Sequence, residues 1–393
     1  MKHLKTVFRT ILLLFAVILT SSEAEAYEAF STEYLDSVEV SLLTCQPHDE
    51  VYSLYGHTAL RWHDLHEDDT DLAFNWGVFN FNAPHFVARF VFGLTDYELG
   101  AIPYPRFLLE YRHFGSMVTE QVIDLTSAEK QQLYVALNEN LRPENQVYRY
   151  NYFYNNCTTK ARDIIEGCIS GKIKHAERQD NTPRYRDMIH SMTKNNPWSR
   201  FGNDLLLGIK ADRTTTQREQ EFLPLNLLYD FDHAQIYSNG TYRPLVKERR
   251  TAVPAGVQVR QQGFPLSPLA VGIVLLALTL LLAFLQHHNH QVFRLWTALL
   301  MLCCGTIGTV LFLMIFSQHP TVSINLQLLF FNPIHLVFLW PVFRGRTGHY
   351  WPVCLVLGAG FFLGGLWQHY ASGLPLLALC LLCQCYVHKQ NSR

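Results

Sequence analysis

The sequence predicts an α+β domain exported from the cytoplasm, followed by a five-helix transmembrane α domain. Three features carry that expectation. A short basic and apolar leader opens the chain. A middle of ordinary charge alternates between strand and helix patterns. The last third has no Asp or Glu between Ser267 and Arg393. Of 393 residues, 49% are hydrophobic but only 17% are charged, and the charge is concentrated before that last third. The net charge of -1 gives no sign of a nucleic-acid partner.

The leader has the form of an export signal. Lys2, Lys5 and Arg9 precede an apolar run over 11–20, and Ala24-Glu25-Ala26 offers a small-x-small cleavage site. We expect cleavage after Ala26. The expected division is a signal peptide at 1–26, an exported domain at 27–250, a linker at 251–265, five transmembrane helices within 266–388 and a cytoplasmic tail at 389–393. The exported stretch is long enough to bury one sizeable core.

Five apolar stretches follow, at 266–286, 292–316, 326–343, 350–367 and 374–387, the last two near the lower limit for crossing a bilayer. Arg294, then Arg344 and Arg346, then Lys389 and Arg393 mark alternate ends, whereas the loops around His319 and His369 lack Lys and Arg. By the positive-inside rule the exported domain is outside and the C-terminus is cytoplasmic. Lys247, Arg249 and Arg250 lie just before the linker, where they could touch anionic headgroups or form a solvated charge run.

Within the exported domain, 57–63, 72–81, 118–125 and 148–153 read as strands. The segment 127–141 reads as a helix with Thr126 or Ser127 as its cap. A second helix over 158–169 has Ala161, Ile164, Ile165 and Cys168 at helical spacing from Cys157, with Asn155 and Asn156 as capping types upstream. Cys157 therefore falls at a helix start, where the dipole and unpaired N–H groups favour a thiolate and can hold an oxyanion. His57, on a strand, is the matching base, and a third polar group would fix its tautomer. A structural cysteine and a surface histidine are the bland alternative.

Of nine cysteines, six lie in the apolar stretches, where small hydrophobes suffice. Cys380, Cys383 and Cys385 have metal-like spacing, but no His or carboxylate stands beside them, and no metal site is expected. Export would allow a Cys45–Cys168 disulfide, leaving Cys157 as the odd thiol. The aromatic run Phe74, Trp76, Phe79, Phe81, Phe86, Phe90 and Phe92 fits either core packing or an acyl groove.

An ordered set of motifs carries a resemblance. It comprises Cys45-Gln46-Pro47, Ser53-Leu54-Tyr55-Gly56-His57-Thr58-Ala59-Leu60-Arg61, Asn75-Trp76-Gly77-Val78-Phe79 with Phe81, and Arg142-Pro143-Glu144-Asn145. Tyr152-Phe153-Tyr154-Asn155-Asn156-Cys157-Thr158-Thr159 with Arg162-Asp163, and Asn332-Pro333-Ile334-His335-Leu336, complete it. Together they resemble the Lnb family of bacterial lipoprotein N-acyltransferases over nearly the whole chain.

The resemblance implies a permuted papain-like (NlpC/P60-like) exported domain in the bacterial inner membrane, with its catalytic face in the periplasm. It further implies that an acyl chain passes from a membrane phospholipid, through a Cys157 thioester, to the α-amine of a diacylated lipoprotein. No cofactor is implied. Asn75 is the first choice to orient His57, and His63, on the same strand face as His57, is the second. Asn156, Asn332 and His335 are candidate substrate contacts, the last two because polar groups at membrane depth point to function. A satisfied helix kink is the other reading of Asn332 and His335. A cell-wall cysteine peptidase and a non-catalytic membrane scaffold are the alternative functions; five spans exceed what a wall hydrolase needs.

Overall fold

The computed structural model describes residues 30–391, apart from 67–69, 80–83, 86–87, 90–91, 179–181, 259–262 and 347–348. The expected leader lies outside the described residues, as do Phe81, Phe86 and Phe90.

A short helix α1 (Thr32–Asp36) leads into a seven-stranded sheet whose paired neighbours are all antiparallel. Its strands are β1 (Val38–Cys45), β2 (His57–Asp64), β3 (Asp71–Val78), β4 (Asp96–Pro103), β5 (Val118–Ile123), β6 (Val147–Arg149) and β10 (Val246–Val253), in the order β10-β5-β1-β2-β3-β4-β6. β1 is buried along nearly its whole length because neighbouring strands and both sheet faces cover it. Such a strand shows no apolar-polar alternation. A small second sheet holds β7 (Lys172–Lys174), β8 (Gln235–Ser238) and β9 (Thr241–Pro244).

Helix α2 (Tyr104–His113) covers one face of the large sheet through Tyr104, Phe107, Leu108 and Tyr111. The opposite face carries α3 (Ser127–Leu141), α4 (Cys157–Cys168) and α7 (Pro224–Asp232), packed on Leu42, Leu60, Phe74 and Trp76. Thr126 and Glu129 form a capping box on α3, and Asn156 and Thr159 form one on α4. Helices α5 (Tyr185–Met192) and α6 (Pro197–Leu206) complete the domain. β10 extends past Arg250 into the expected linker. Its cations are engaged: Arg249 pairs with Asp232, and Arg250 with Glu39 and Glu248.

The C-terminal region is helical and apolar: α8 (Pro268–His288), α9 (Arg294–Met314), α10 (Ile334–Phe343), α11 (Tyr350–Gly364) and α12 (Leu374–Asn391). α8, α9 and the segment Leu326–Phe343 are long and apolar enough to cross a membrane, while Tyr350–Gly364 and Leu374–His388 are apolar but shorter. The stretch Leu326–Phe343 is not one continuous helix. A 3-10 turn at Leu326–Leu329 is separated from α10 by 330–333. Gly308 of α9 packs on this break; a Cβ there would collide with the Asn332 backbone nitrogen.

The sheet domain is hydrogen-bonded to this region at several places. The Gln318 N–H donates to the Phe92 carbonyl, Gln327 Nε2 donates to the carbonyls of Asp204 and Leu205, and the His369 N–H donates to Asp212.

Candidate active site

His57 opens β2, and a left-handed Gly56 (φ 77°) delivers it there. A side chain at Gly56 would also place its Cβ 2.7 Å from the Cys45 carbonyl oxygen, so glycine is required twice over. β2 pairs with β3 at Leu60–Phe74, and extending that register by three residues sets His57 opposite Gly77. The imidazole packs closely on that glycine: a Cβ at Gly77 would sit 2.7 Å from His57 Cε1. From there the ring reaches Asn75 diagonally, with Nε2 at 2.7 Å from Asn75 Oδ1.

The Gly77 N–H donates to the same Asn75 Oδ1 at 2.8 Å. That bond identifies the atom as the amide oxygen, an acceptor. His57 must therefore donate from Nε2, which leaves Nδ1 unprotonated in the neutral ring. The Cys157 thiol faces the same pocket as this imidazole, and each group shifts the titration of the other.

Cys157 is the first residue of α4. Burial alone would push its thiol up, but the charge and hydrogen bond of His57, the Thr58 N–H and the Thr158 hydroxyl together hold it at about 7. Burial also works against a charged His57, yet Cys157 and Asn75 raise its pKa above the ordinary histidine value. Opposite shifts in the two partners describe a thiol and an imidazole between which a proton moves at low cost. Thr58 Oγ1 donates to Thr158 Oγ1 at 3.1 Å, and Thr158 Oγ1 lies 3.8 Å from Cys157 Sγ.

Asn156 has a different place from the one expected of it. Its Oδ1 accepts from the Thr158 and Thr159 N–H groups, and its Nδ2 donates to the Tyr152 and Phe222 carbonyls. All four hydrogen-bonding positions of the amide are used by the fold, so the residue fixes the start of α4 and has nothing left for a substrate. The same cap takes the Thr158 and Thr159 N–H groups of the first turn and not that of Cys157.

His63 is not at the site. It sits six residues along β2, about 20 Å away at the usual strand rise, opposite Glu39 and Asp71. Asn332 and His335 are not brought to Cys157 as substrate contacts either. Asn332 Oδ1 accepts the Ile334 N–H, and its Nδ2 faces the Leu328, Leu329 and Phe330 carbonyls. His335 is fully buried, with Nε2 at 2.7 Å from the Phe330 carbonyl and Nδ1 at 2.8 Å from the Tyr350 hydroxyl. They satisfy a helix break, which is why an apolar segment tolerates them. The Cys45–Cys168 disulfide is absent: both thiols are free, and they lie in cores on opposite faces of the sheet.

Cys157, His57 and Asn75 line a pocket of about 330 Å³, with Phe79, Tyr52, Tyr97, Tyr111, Tyr150 and Tyr152 among its walls and Glu110 at an exposed position. Burial pushes Tyr97 to about 12, so that phenol stays neutral. Sequence reasoning misses these tyrosines. Tyr148, Tyr150 and Tyr152, at spacing two just before Cys157, are the available signal. Of the aromatic run, Phe74 and Trp76 belong to the core, and Phe79 to the pocket. Tyr55, another wall residue, accepts from Asn203 Nδ2 at 2.6 Å. Asn203 precedes the two α6 residues whose carbonyls hold Gln327, so one helix joins the pocket wall to the apolar region.

A family model described as the Lnb N-terminal periplasmic domain matches residues 26–211, and one described as the Lnb transmembrane domain matches 259–391. No curated protein and no solved structure matches the chain.

Proposed function

The chain belongs to the Lnb family and is an inner-membrane protein with a periplasmic N-terminal part; from that premise we propose that it is a lipoprotein N-acyltransferase with Cys157 as nucleophile. The observation that carries the proposal is a helix-start Cys157 sharing an aromatic pocket with a His57 that is hydrogen-bonded to Asn75, the thiol and the imidazole each shifting the other's titration. A helix-start cysteine facing a strand histidine is also the arrangement of a permuted papain-like domain.

In the first half-reaction the Cys157 proton passes to His57 Nδ1 and the thiolate attacks the ester carbonyl of a phospholipid. The Cys157 N–H faces the developing oxyanion. Collapse breaks the ester C–O bond, the lysolipid alkoxide takes the proton from His57, and the acyl chain remains as a thioester. In the second, the neutral α-amine of a diacylglyceryl-cysteine attacks the thioester and gives a proton to His57. The C–S bond breaks, the amide is released, and the thiol is restored. Asn75 holds His57 in the tautomer that both halves use.

The membrane region supports the lipid substrate. All five apolar segments serve as spans in this reading, and the C-terminus is cytoplasmic. The loops at Gln318 and His369, free of Lys and Arg, touch the periplasmic domain, while Arg294 lies against Gly345 at the other end.

Mass spectrometry of a diacylated lipoprotein peptide, incubated with the purified protein and one defined phospholipid, tests the activity. One added acyl chain on the N-terminal amine is expected with the wild type and none with Cys157→Ala. Peptide cleavage without acyl gain would instead identify a cysteine peptidase.

A further inference from the structure

Away from the pocket, three side chains from three elements converge where the periplasmic domain meets the helical region. They are His190 of α5, Asp204 of α6 and His369 of the loop between α11 and α12, and their donor atoms all lie within 4.8 Å of one another. We propose that they bind a divalent transition metal ion of the zinc type and that this ion clamps the periplasmic domain to the membrane region.

Two imidazoles and one carboxylate are a donor set suited to zinc, with a fourth position left for water. Asp204 is buried and His369 is exposed, so the site has a fixed floor and an open side. His190 Nε2 is already 2.8 and 2.9 Å from the two Asp204 oxygens, a separation close to that of two ligands on one ion. The two imidazole centroids are 5.2 Å apart. Rotation of the exposed His369 ring closes the remaining gap, because donors about 2.0–2.2 Å from one ion stand only about 3–3.5 Å from each other.

Local charge permits the ion. Arg186 donates to Asp204 Oδ1 at 2.8 Å, which by itself would oppose a cation. Arg186 is also held by both oxygens of Asp212, at 2.7 and 3.0 Å. One guanidinium against two carboxylates leaves a charge of -1, with neutral histidines, for the incoming ion. Coordination replaces the His190–Asp204 hydrogen bond: Nε2 gives its lone pair to the metal, and the neutral ring keeps its one proton at Nδ1.

The loop is also held in place. The His369 N–H donates to Asp212, and the neighbouring Gln368 reaches the Leu207 carbonyl and Asn325. An ion at this seam would therefore bind a loop whose backbone is already set. The sequence hides the site because its ligands are far apart, with Asp204 and His369 separated by 165 positions.

The test uses full-length, metal-stripped protein in detergent, carrying Cys157→Ala so that the active-site thiol cannot contribute, titrated with Co²⁺ or Zn²⁺ alone. We expect one equivalent to bind with the absorption of a four-coordinate Co²⁺ site and to raise the melting temperature. His369→Ala, at an exposed position, and His190→Gln, which keeps a donor to Asp204, should each weaken binding roughly tenfold or more and abolish the Zn²⁺-dependent rise. Absence of stoichiometric binding, or equal affinity in both variants, would overturn the proposal. Neither outcome bears on acyl transfer, which the proposal does not involve.

Discussion

Asn75 Oδ1 stands 2.7 Å from His57 Nε2 while accepting the Gly77 N–H at 2.8 Å, so one amide oxygen fixes both the tautomer and the tilt of the imidazole. Asn75→Ala should therefore lower turnover on the order of 10²-fold with little change in substrate KM. Asn75→Asp, which accepts the same proton, should recover much of the loss. Steady-state kinetics with a fluorescent phospholipid donor checks both, and equal rates in wild type and Asn75→Ala would remove Asn75 from the mechanism.

Gly77→Ala tests the platform under the ring. Its methyl would intrude to 2.7 Å from His57 Cε1, and the imidazole must move. We expect activity to fall to a level near that of His57→Ala while the protein keeps its yield and melting temperature. A fully active Gly77→Ala would show that the ring is not held where the structure places it.

Thiol reactivity should follow the opposite shifts of the two groups. Cys157 is depressed to about 7, so its alkylation by iodoacetamide should rise through that pH, against about 8.5 for an ordinary cysteine. Removing His57 leaves burial in place without its compensation, so the His57→Ala midpoint should move above about 8.5. Identical profiles for the two proteins would mean that the pair is uncoupled.

Asn156→Ala deletes a cap that holds two N–H groups and two carbonyls. The expected loss is about 1–3 kcal/mol of stability, read as a lowered melting temperature of the full-length protein. His335→Leu should act in the same way, since it strips the Phe330 carbonyl and the Tyr350 hydroxyl of their partner. If His335→Leu instead lowered turnover at unchanged stability, the residue would belong to the substrate path after all.

The parts of the site that are local in sequence are legible in the amino-acid order alone. Cys157 at a helix start, His57 on a strand and Asn75 on its neighbour follow from capping types, alternation and motif resemblance. Residues whose role depends on saturation are harder to read. A polar side chain such as Asn156 or His335 looks available in sequence, and only the fold reveals that each bond it can make is already made. β1 escapes a pattern-based reading because burial on both faces erases alternation. β4 escapes it because its neighbours in space, β3 and β6, define it better than its own pattern. His63 and the expected disulfide fail for a simpler reason. Spacing along a strand or between cysteines says nothing of which end, or which face of a sheet, a residue occupies.

The acyl-enzyme at Cys157 is the point on which the account turns. Intact-mass analysis of the purified protein, incubated with a single phospholipid and no acceptor, should show the mass of one acyl chain minus water. That mass should be mapped to the Cys157 peptide, released by hydroxylamine, and discharged when a diacylglyceryl-cysteine peptide is added. An acceptor that becomes N-acylated by the Cys157→Ala protein, or by wild-type protein that never carries the thioester, would contradict it.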